Sequence, residues 1–287
     1  MNIREKVIDL VRNRTTSLPT LPVVVNNIIV TARNEKTSAQ DLADFIMNDQ
    51  AISTRVLRIA NSAYYGMPKK IDSISRAIVL IGFKEIISLA LGMGIFSALS
   101  KKGVDTPIDM TEFWKHSIGV GFAAEKISKK RRKIPDESTI LMGLLHDMGK
   151  IIFCLYFPNE YAEVLKKTSN ERTPLSTIEK EYLGLDHAEM AHLLMKQWNF
   201  PTSLIQPVRY HHNPSECPAE HVDMAMLLNL ADSICHKSGI GQSGNNNMEI
   251  DNKILEKLGL SHDNLATLTE ELESERGQVE DFLVALS

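Results

Sequence analysis

Nine histidines are few for 287 residues, but several stand beside carboxylates or beside one another. The sharpest grouping is the run Gly143-Leu-Leu-His146-Asp147-Met-Gly149-Lys150, where an apolar segment ends in a His-Asp doublet with a glycine close behind. Adjacent residues on a helix diverge by roughly 100°, so both side chains can reach a metal lying between those directions. The histidine offers one nitrogen, and the aspartate offers two oxygens that can bridge a pair of cations. Burying such a doublet is costly unless it is paired or metal-bound. Lys150, one turn after His146, can hold an anionic ligand nearby.

Four other pieces look like ligands from other helices. His116 sits on an amphipathic segment with Glu112 one turn earlier on the same face. His187 opens a helix beside Asp186, and His211-His212 forms a second doublet just ahead of Asn213-Pro214. Asp232 lies in Met226–Ile234, where nearly every neighbour is apolar and an isolated carboxylate would be expensive. A lone core histidine is more often a hydrogen-bonded structural residue than a ligand. Two doublets and an apolar-flanked aspartate together point instead to a metal. A nitrogen- and oxygen-rich set without thiolate suits Fe, Mn, Zn or Ni. His192 points to a different helical face from His187, and it is placed outside the set together with His221, His236 and His262.

The elements that must position these residues read as helices throughout. Leu21–Ala32 is apolar and β-branched, and ambiguous by itself. Ser38 and Asp41 form an N-cap arrangement opening a helix with Leu42, Phe45 and Ile46 on one face. The pattern repeats over Ile52–Ala63 and is stopped by Gly66, Met67 and Pro68. Another helix begins near Ser73 or Ser75, Gly82 interrupts it, and Lys84–Leu99 resumes. Thr111–Lys130, Glu137–Asp147, a helix from Thr173-Pro174 through Tyr182, Ala188–Trp198, a segment from Pro201 to Tyr210, and Val222–His236 complete the packed set. No stretch alternates like a strand between hairpin turns, so an all-α fold is expected.

Lys101–Pro107 marks a boundary, giving an N-terminal helical lobe over 1–103 and a metal-site lobe over 104–238. Over 239–287, the stretch Gly239–Asn247 reads as a flexible loop by composition, and Asp263–Leu286 as an acidic amphipathic helix packed on the body. The basic run Lys129–Lys133 is a solvated helix end favoured by the macrodipole.

A net charge of −4 gives no general attraction to nucleic acid or anionic lipid, and neither is expected as a partner. Cys154, Cys217 and Cys235 show no CxxC spacing and leave an odd thiol, which fits buried thiols in a reducing compartment. The N-terminus lacks an apolar signal core. Lys84 and Glu85 split the most apolar stretch, leaving 14 residues from Ile86 to Leu99, too short to cross a bilayer. A cytoplasmic location is the expectation.

The order His116, His146-Asp147, Asp232 resembles the H…HD…D pattern of the HD superfamily of metal-dependent phosphohydrolases. His187 and His211-His212 resemble the extra ligands of its dinuclear branch, which includes the HD-GYP phosphodiesterases. A closer likeness, over residues 18 to 236, is to the HDOD family. It is carried by Leu18-Pro-Thr-Leu-Pro22, Asn61-Ser-Ala-Tyr-Tyr-Gly66, the His-Asp-Met-Gly-Lys run, Asp186-His187-Ala-Glu189 and Tyr210-His-His-Asn-Pro214. The resemblance implies an N-terminal helical lobe packed against an HD-type helical bundle, a setting in bacterial signal transduction, and two divalent ions, Fe or Mn favoured. No Gly-Tyr-Pro follows the His-His pair, and His-His-Asn-Pro stands where HD-GYP enzymes have His-His-Glu, which separates the chain from cyclic-dinucleotide hydrolysis. Glu112 resembles the additional glutamate of trinuclear HD-GYP sites.

Two functions follow. One is a regulatory module that binds metal, with a nucleotide as a further ligand, and transmits its state to a protein partner. The other is a metal-dependent phosphohydrolase in which Asp147 bridges the ions and Lys150 steadies phosphoryl oxygens. An enzyme requires a cleft open to solvent at Lys150, whereas a sealed site favours regulation. A purely structural metal in an interaction scaffold is the third reading.

Overall fold

Side-chain caps set the helix starts in the N-terminal half. In the computed structural model, which describes residues 3–12, 18–32, 38–100, 104–131, 138–171, 173–245 and 250–287, every regular element is helical. The first six helices are α1 (Ile3–Arg12), α2 (Val23–Ala32), α3 (Ala39–Met47), α4 (Gln50–Ala60), α5 (Ile74–Ile81) and α6 (Phe83–Leu99). The Ser38 side chain accepts from Asp41 N while the Asp41 carboxylate accepts from Ser38 N, a reciprocal capping box. Asp49 and Ser73 cap α4 and α5 in the simpler one-bond form. Gly82, at φ +112°, turns the chain between α5 and α6 in a conformation other residues rarely adopt.

The site-bearing helices follow: α7 (Met110–Lys130), α8 (Thr139–His146), α9 (Met148–Tyr156), α10 (Pro158–Asn170), α11 (Leu175–Leu183), α12 (His187–Gln197), α13 (Thr202–Arg209) and α14 (Val222–Lys237). A short 3₁₀ turn, Pro214–Glu216, precedes α14. Helix α7 packs along α8 and α14, and α9 packs along α12. The α7–α8 approach is close: a Cβ on Gly143 would lie 2.3 Å from Gly121 N. Thr139–Tyr156 is apolar and long enough to cross a membrane, but 89% of it is buried inside the protein and Asp147 divides it into α8 and α9. It is core.

One hydrophobic cluster runs from Val7 to Leu286. Tyr64 stacks on Phe122 at 4.2 Å, and Phe282 meets the same phenylalanine edge-on at 5.6 Å, tying the turn after α4 and the C-terminal helix to α7. Each such buried aromatic pair adds about 0.5–1.5 kcal/mol beyond its area.

Two expectations for the C-terminal region need correction. Asp263–Leu286 is two helices, α16 (His262–Ser274) and α17 (Arg276–Leu286), preceded by α15 (Asn252–Leu258). The break at Glu275 lets Leu268 and Leu272 on one segment and Val279 and Phe282 on the other reach the core in different directions. The glycine-rich segment is packed over its described part, 239–245. Ile240 and Ser243 are buried, and Gln242 N donates to Glu112 O at 3.1 Å. Composition reads chain stiffness alone and misses this tertiary docking. Asn246 and Asn247 lie outside the described residues, as do Arg132 and Lys133 of the basic run, Glu137 at the expected start of the helix to Asp147, and Lys101 to Gly103 of the boundary. Within that run, Lys129 and Lys130 pair with Glu125 and Glu271.

Candidate metal centre

Four helices, one helix junction and one turn deliver the predicted ligands to a single interior locus. His116 comes from the middle of α7, His146 from the last position of α8, and Asp147 from the junction of α8 with α9. His187 is the first residue of α12, placed there by an Asp186–Glu189 capping box. His211 and His212 lie just past the end of α13, and Asp232 lies on α14. The position of Gly149 is decisive for the α9–α12 contact, since a Cβ there would sit 2.0 Å from His187 O. His187 can approach Asp147 only because that residue is glycine.

Ligand-capable atoms of Asp147, His187, His211 and His212 lie within 4.8 Å of one another, as do those of His116, His146 and Asp147, and those of His146, His211 and Asp232. The groups share members, with Asp147 common to the first two. Asp147 Oδ1 is 3.1 Å from His187 Nε2 and 3.9 Å from His211 Nε2, while Oδ2 is 3.3 Å from His146 Nε2. His116 Nε2 is 2.9 Å from Asp232 Oδ1, off the hydrogen-bond line. His116 Nε2, His146 Nε2, His211 Nε2, Asp147 Oδ1 and both Asp232 carboxylate oxygens are buried without a hydrogen-bond partner. Native interiors leave few such atoms. Six gathered in one cluster fit a divalent cation well.

The outward nitrogens of these rings are held. His146 Nδ1 donates to Gly143 O and His211 Nδ1 to Val208 O, both at 2.7 Å, which leaves each Nε2 lone pair facing the cluster. His187 is held by Glu179, a residue the sequence reading did not single out. Glu179 Oε2 accepts from His187 Nδ1 at 2.5 Å and from His187 N at 2.8 Å, and its Oε1 accepts from Tyr161 Oη at 2.7 Å. The available signal was local: Leu175, Ile178 and Leu183 make the buried face of α11, and Glu179 is a carboxylate on that face. Ser243 is the second omission, accepting from Lys150 Nζ at 3.2 Å.

Lys150 does not line an open cleft. It is fully buried, and its Nζ donates to Asp147 Oδ2 at 2.6 Å. Glu112 pairs with Lys115 at 2.8 Å and belongs to none of the ligand-capable groups among the described residues. His236, placed outside the ligand set, has its ring 5.8 Å from that of His116 and belongs to none of the ligand-capable groups among the described residues.

Electrostatics in this interior divides the residues by charge. Burial opposes ionisation of Asp147, but His146, Lys150 and His187 outweigh it and hold the carboxyl well below the usual carboxylate range. Asp232 is likewise lowered against its burial, by His116 and His146. Burial also opposes charging His187, yet Glu179 and Asp147 raise it to about 9. His211 is depressed to about 4 by burial and by the neighbouring His146 and His187, and His212 is depressed well below its ordinary value by burial, His211 and His187. Ionised aspartates beside the neutral imidazoles of His211 and His212 are the protonation states a divalent cation requires, whereas His187 must give up a proton to join them.

The HDOD domain family matches residues 18–214, more than half of the chain. The chain belongs to the HDOD family. The matched segment ends before Asp232, so this residue joins the centre from beyond it. An "Uncharacterized protein" from Treponema pallidum is 25% identical over 225 residues, which make up 77% of this chain but 42% of that protein. The chain thus spans under half the length of the first curated relative it matches. Among solved structures, a "Putative phosphohydrolase" from Shewanella amazonensis is 22% identical, covering 97% of this chain and 98% of its own, with a TM-score of 0.75. A "Putative signal transduction protein" from Marinobacter aquaeolei is 22% identical, covering 99% of this chain and 65% of its own, at 0.79. At such identity the likeness carries the all-α HDOD fold.

Proposed function

We propose that this HDOD protein is a cytoplasmic regulatory module of bacterial signal transduction whose His/Asp centre holds divalent metal, two ions with Fe or Mn favoured, and whose state is read by a protein partner. The observation that carries the reading is a full ligand set enclosed by the protein. His146, Asp147, Lys150, His187, His211 and Asp232 have no solvent exposure, and His116 has 1%. His212 alone is partly exposed. Asp147 itself has no exposed surface for a substrate phosphate to meet, whereas an ion that stays bound needs none.

His116, His146, Asp147, His187, His211, His212 and Asp232 would hold the ions. A bound divalent cation supplies positive charge to the two aspartates and Lewis acidity toward an oxygen ligand. The chain's own residues do the rest. Backbone carbonyls aim His146 and His211 inward, Glu179 keeps the His187 Nδ1 proton and leaves Nε2 toward Asp147 and His212, and Lys150 donates to Asp147 Oδ2. His187 would hold an ion through Nε2 only after releasing the proton there.

Phosphohydrolysis is the second reading, favoured by the partial exposure of His212 and by the name given to the Shewanella protein. It requires Lys150 to leave Asp147 and the cover of the site to open. Elemental analysis of protein purified without chelator, paired with turnover assays on cyclic and linear nucleotides with Mn²⁺ or Fe²⁺, separates the two. Stoichiometric metal without turnover is expected. Absence of metal would overturn both readings, and turnover lost in His146→Ala or Asp147→Ala would replace regulation by hydrolysis.

A further inference from the structure

Charge inside the metal centre matches one divalent ion better than two. Among the described residues with no solvent exposure, the carboxylates are Asp147, Glu179 and Asp232, and the cationic side chain besides the histidines is Lys150. Asp186, 3% exposed, is balanced nearer the surface by Lys180 at 2.9 Å. A histidine that ligates an ion is neutral. With the histidines in that state, three enclosed negative charges face one positive charge, and a single divalent cation brings the total to zero. A second cation would leave an uncompensated positive excess in the core, which is costly unless anions accompany it.

The two oxygens of Asp147 differ in the same sense. Oδ1 is buried without a hydrogen-bond partner, 3.1 Å from His187 Nε2 and 3.9 Å from His211 Nε2. Oδ2 lies 3.3 Å from His146 Nε2 and already accepts from Lys150 Nζ at 2.6 Å. Lys150 is held in place from two sides. It stands in the first turn of α9, three residues after Asp147, and its Nζ also donates to Ser243 Oγ at 3.2 Å. The segment that carries Ser243 is pressed against α7, since a Cβ on Gly241 would lie 2.2 Å from His116 N. A proton on His187 leaves when the ring ligates, whereas the Lys150 ammonium stays tethered at the oxygen that His146 faces.

We propose that the two ion positions of the centre are unequal and that Lys150 makes them so: one divalent ion binds on the Asp147 Oδ1 side with His187, His211 and His212, while Lys150 serves as a built-in counter-ion at Oδ2 and holds back a second ion from His116 and His146. The inference rests on the metal-centre reading above and deepens it, naming the residue that sets how many ions the centre carries. Lys150 acts here through its charge and its tether. A second ion enters only as the ammonium withdraws from Asp147.

The test is calorimetric titration of the metal-free full chain with Mn²⁺, with electron paramagnetic resonance of the same samples, for the unaltered protein, Lys150→Met and Lys150→Arg. Expected for the unaltered protein are one tight Mn²⁺ per chain, a second weaker by about tenfold or more, and the signal of an isolated ion at one equivalent. Lys150→Met keeps the length of the side chain and removes its charge. It should tighten the second ion by about tenfold or more, and by more than the first, with an exchange-coupled pair at two equivalents. Lys150→Arg keeps the charge and should keep the second ion weak. A packing defect would instead weaken both ions in Lys150→Met. Equal affinity for two ions in the unaltered protein overturns the proposal without recourse to any variant. So does a Lys150→Met protein whose second ion binds no more tightly. Either result leaves the metal-centre reading standing, whereas no Mn²⁺ bound by any of the three proteins overturns that reading and this proposal with it.

Discussion

His187 sits between two carboxylates, with Glu179 against Nδ1 and Asp147 against Nε2, at 2.5 and 3.1 Å. Glu179 is the stronger of the two influences raising this imidazole to about 9. In the metal-free protein the folded state therefore holds this proton between pH 6.5 and 9 while the unfolded chain releases it. Its contribution to stability is complete below pH 6.5 and is lost as the pH rises through 9; the shift corresponds to something on the order of 3 kcal/mol. His211, depressed to about 4, acts with the opposite sign, because the unfolded chain takes up its proton first as the pH falls from 6.5 toward 4. Metal-free protein should accordingly be most stable near pH 6.5 in urea melts across this range, and a plateau extending to pH 9 would contradict the assignment. Glu179→Gln should move the His187 titration, followed by NMR, to lower pH. It should also weaken metal binding by about 10- to 100-fold, the usual effect of losing a ligand's outer partner. Unchanged metal affinity would make Glu179 a packing residue only.

Helix contacts decide which of these residues meet. The α9–α12 approach rests on Gly149, where a methyl group would fall 2.0 Å from a backbone oxygen that cannot swing aside. Gly149→Ala should destabilise the protein by about 1–3 kcal/mol, the usual range for overpacking. By displacing His187 from Asp147 it should also lower metal occupancy in elemental analysis. Loss of stability with full occupancy would show that α12 moves without carrying the site. Periodicity made most of these helices legible: the Ser38 cap, the Gly82 interruption and the end of α7 at Lys130 are all readable from local sequence. The break at Glu275 was not, because Asp263–Leu286 keeps an apolar face on both sides of it. The docking of Ile240 and Ser243 was not legible either, since it depends on α7 and α9 lying beside them.

At the scale of the molecule, two ionised aspartates and six orphaned polar atoms, aspartate oxygens among them, enclosed in the core are an unfavourable state without a cation. Metal that binds only the folded form should therefore stabilise it strongly, by about 4 kcal/mol at a free concentration a thousand times Kd. Scanning calorimetry should show Tm rising with added Mn²⁺ or Fe²⁺ and falling after chelation, with slow exchange because the ligands are enclosed. Equal Tm values with and without metal would leave the buried aspartates unexplained.

The sequence by itself determined the chemistry available to this protein. The His-Asp and His-His doublets, the aspartate among apolar residues and the absence of a thiolate pair already define the candidate donor set, because residue type and near-neighbour spacing are local properties. Helical class was equally local, carried by the 3.6-residue period. Tertiary structure alone decided how the donors are used. Glu179 is an ordinary charged residue until α11 turns it onto His187, and Lys150 is a candidate phosphate ligand until α9 buries it against Asp147 and Ser243. The enclosure of most of the centre likewise arises from elements far apart in sequence. Their contacts follow from how whole helices pack, which no short run of residues encodes.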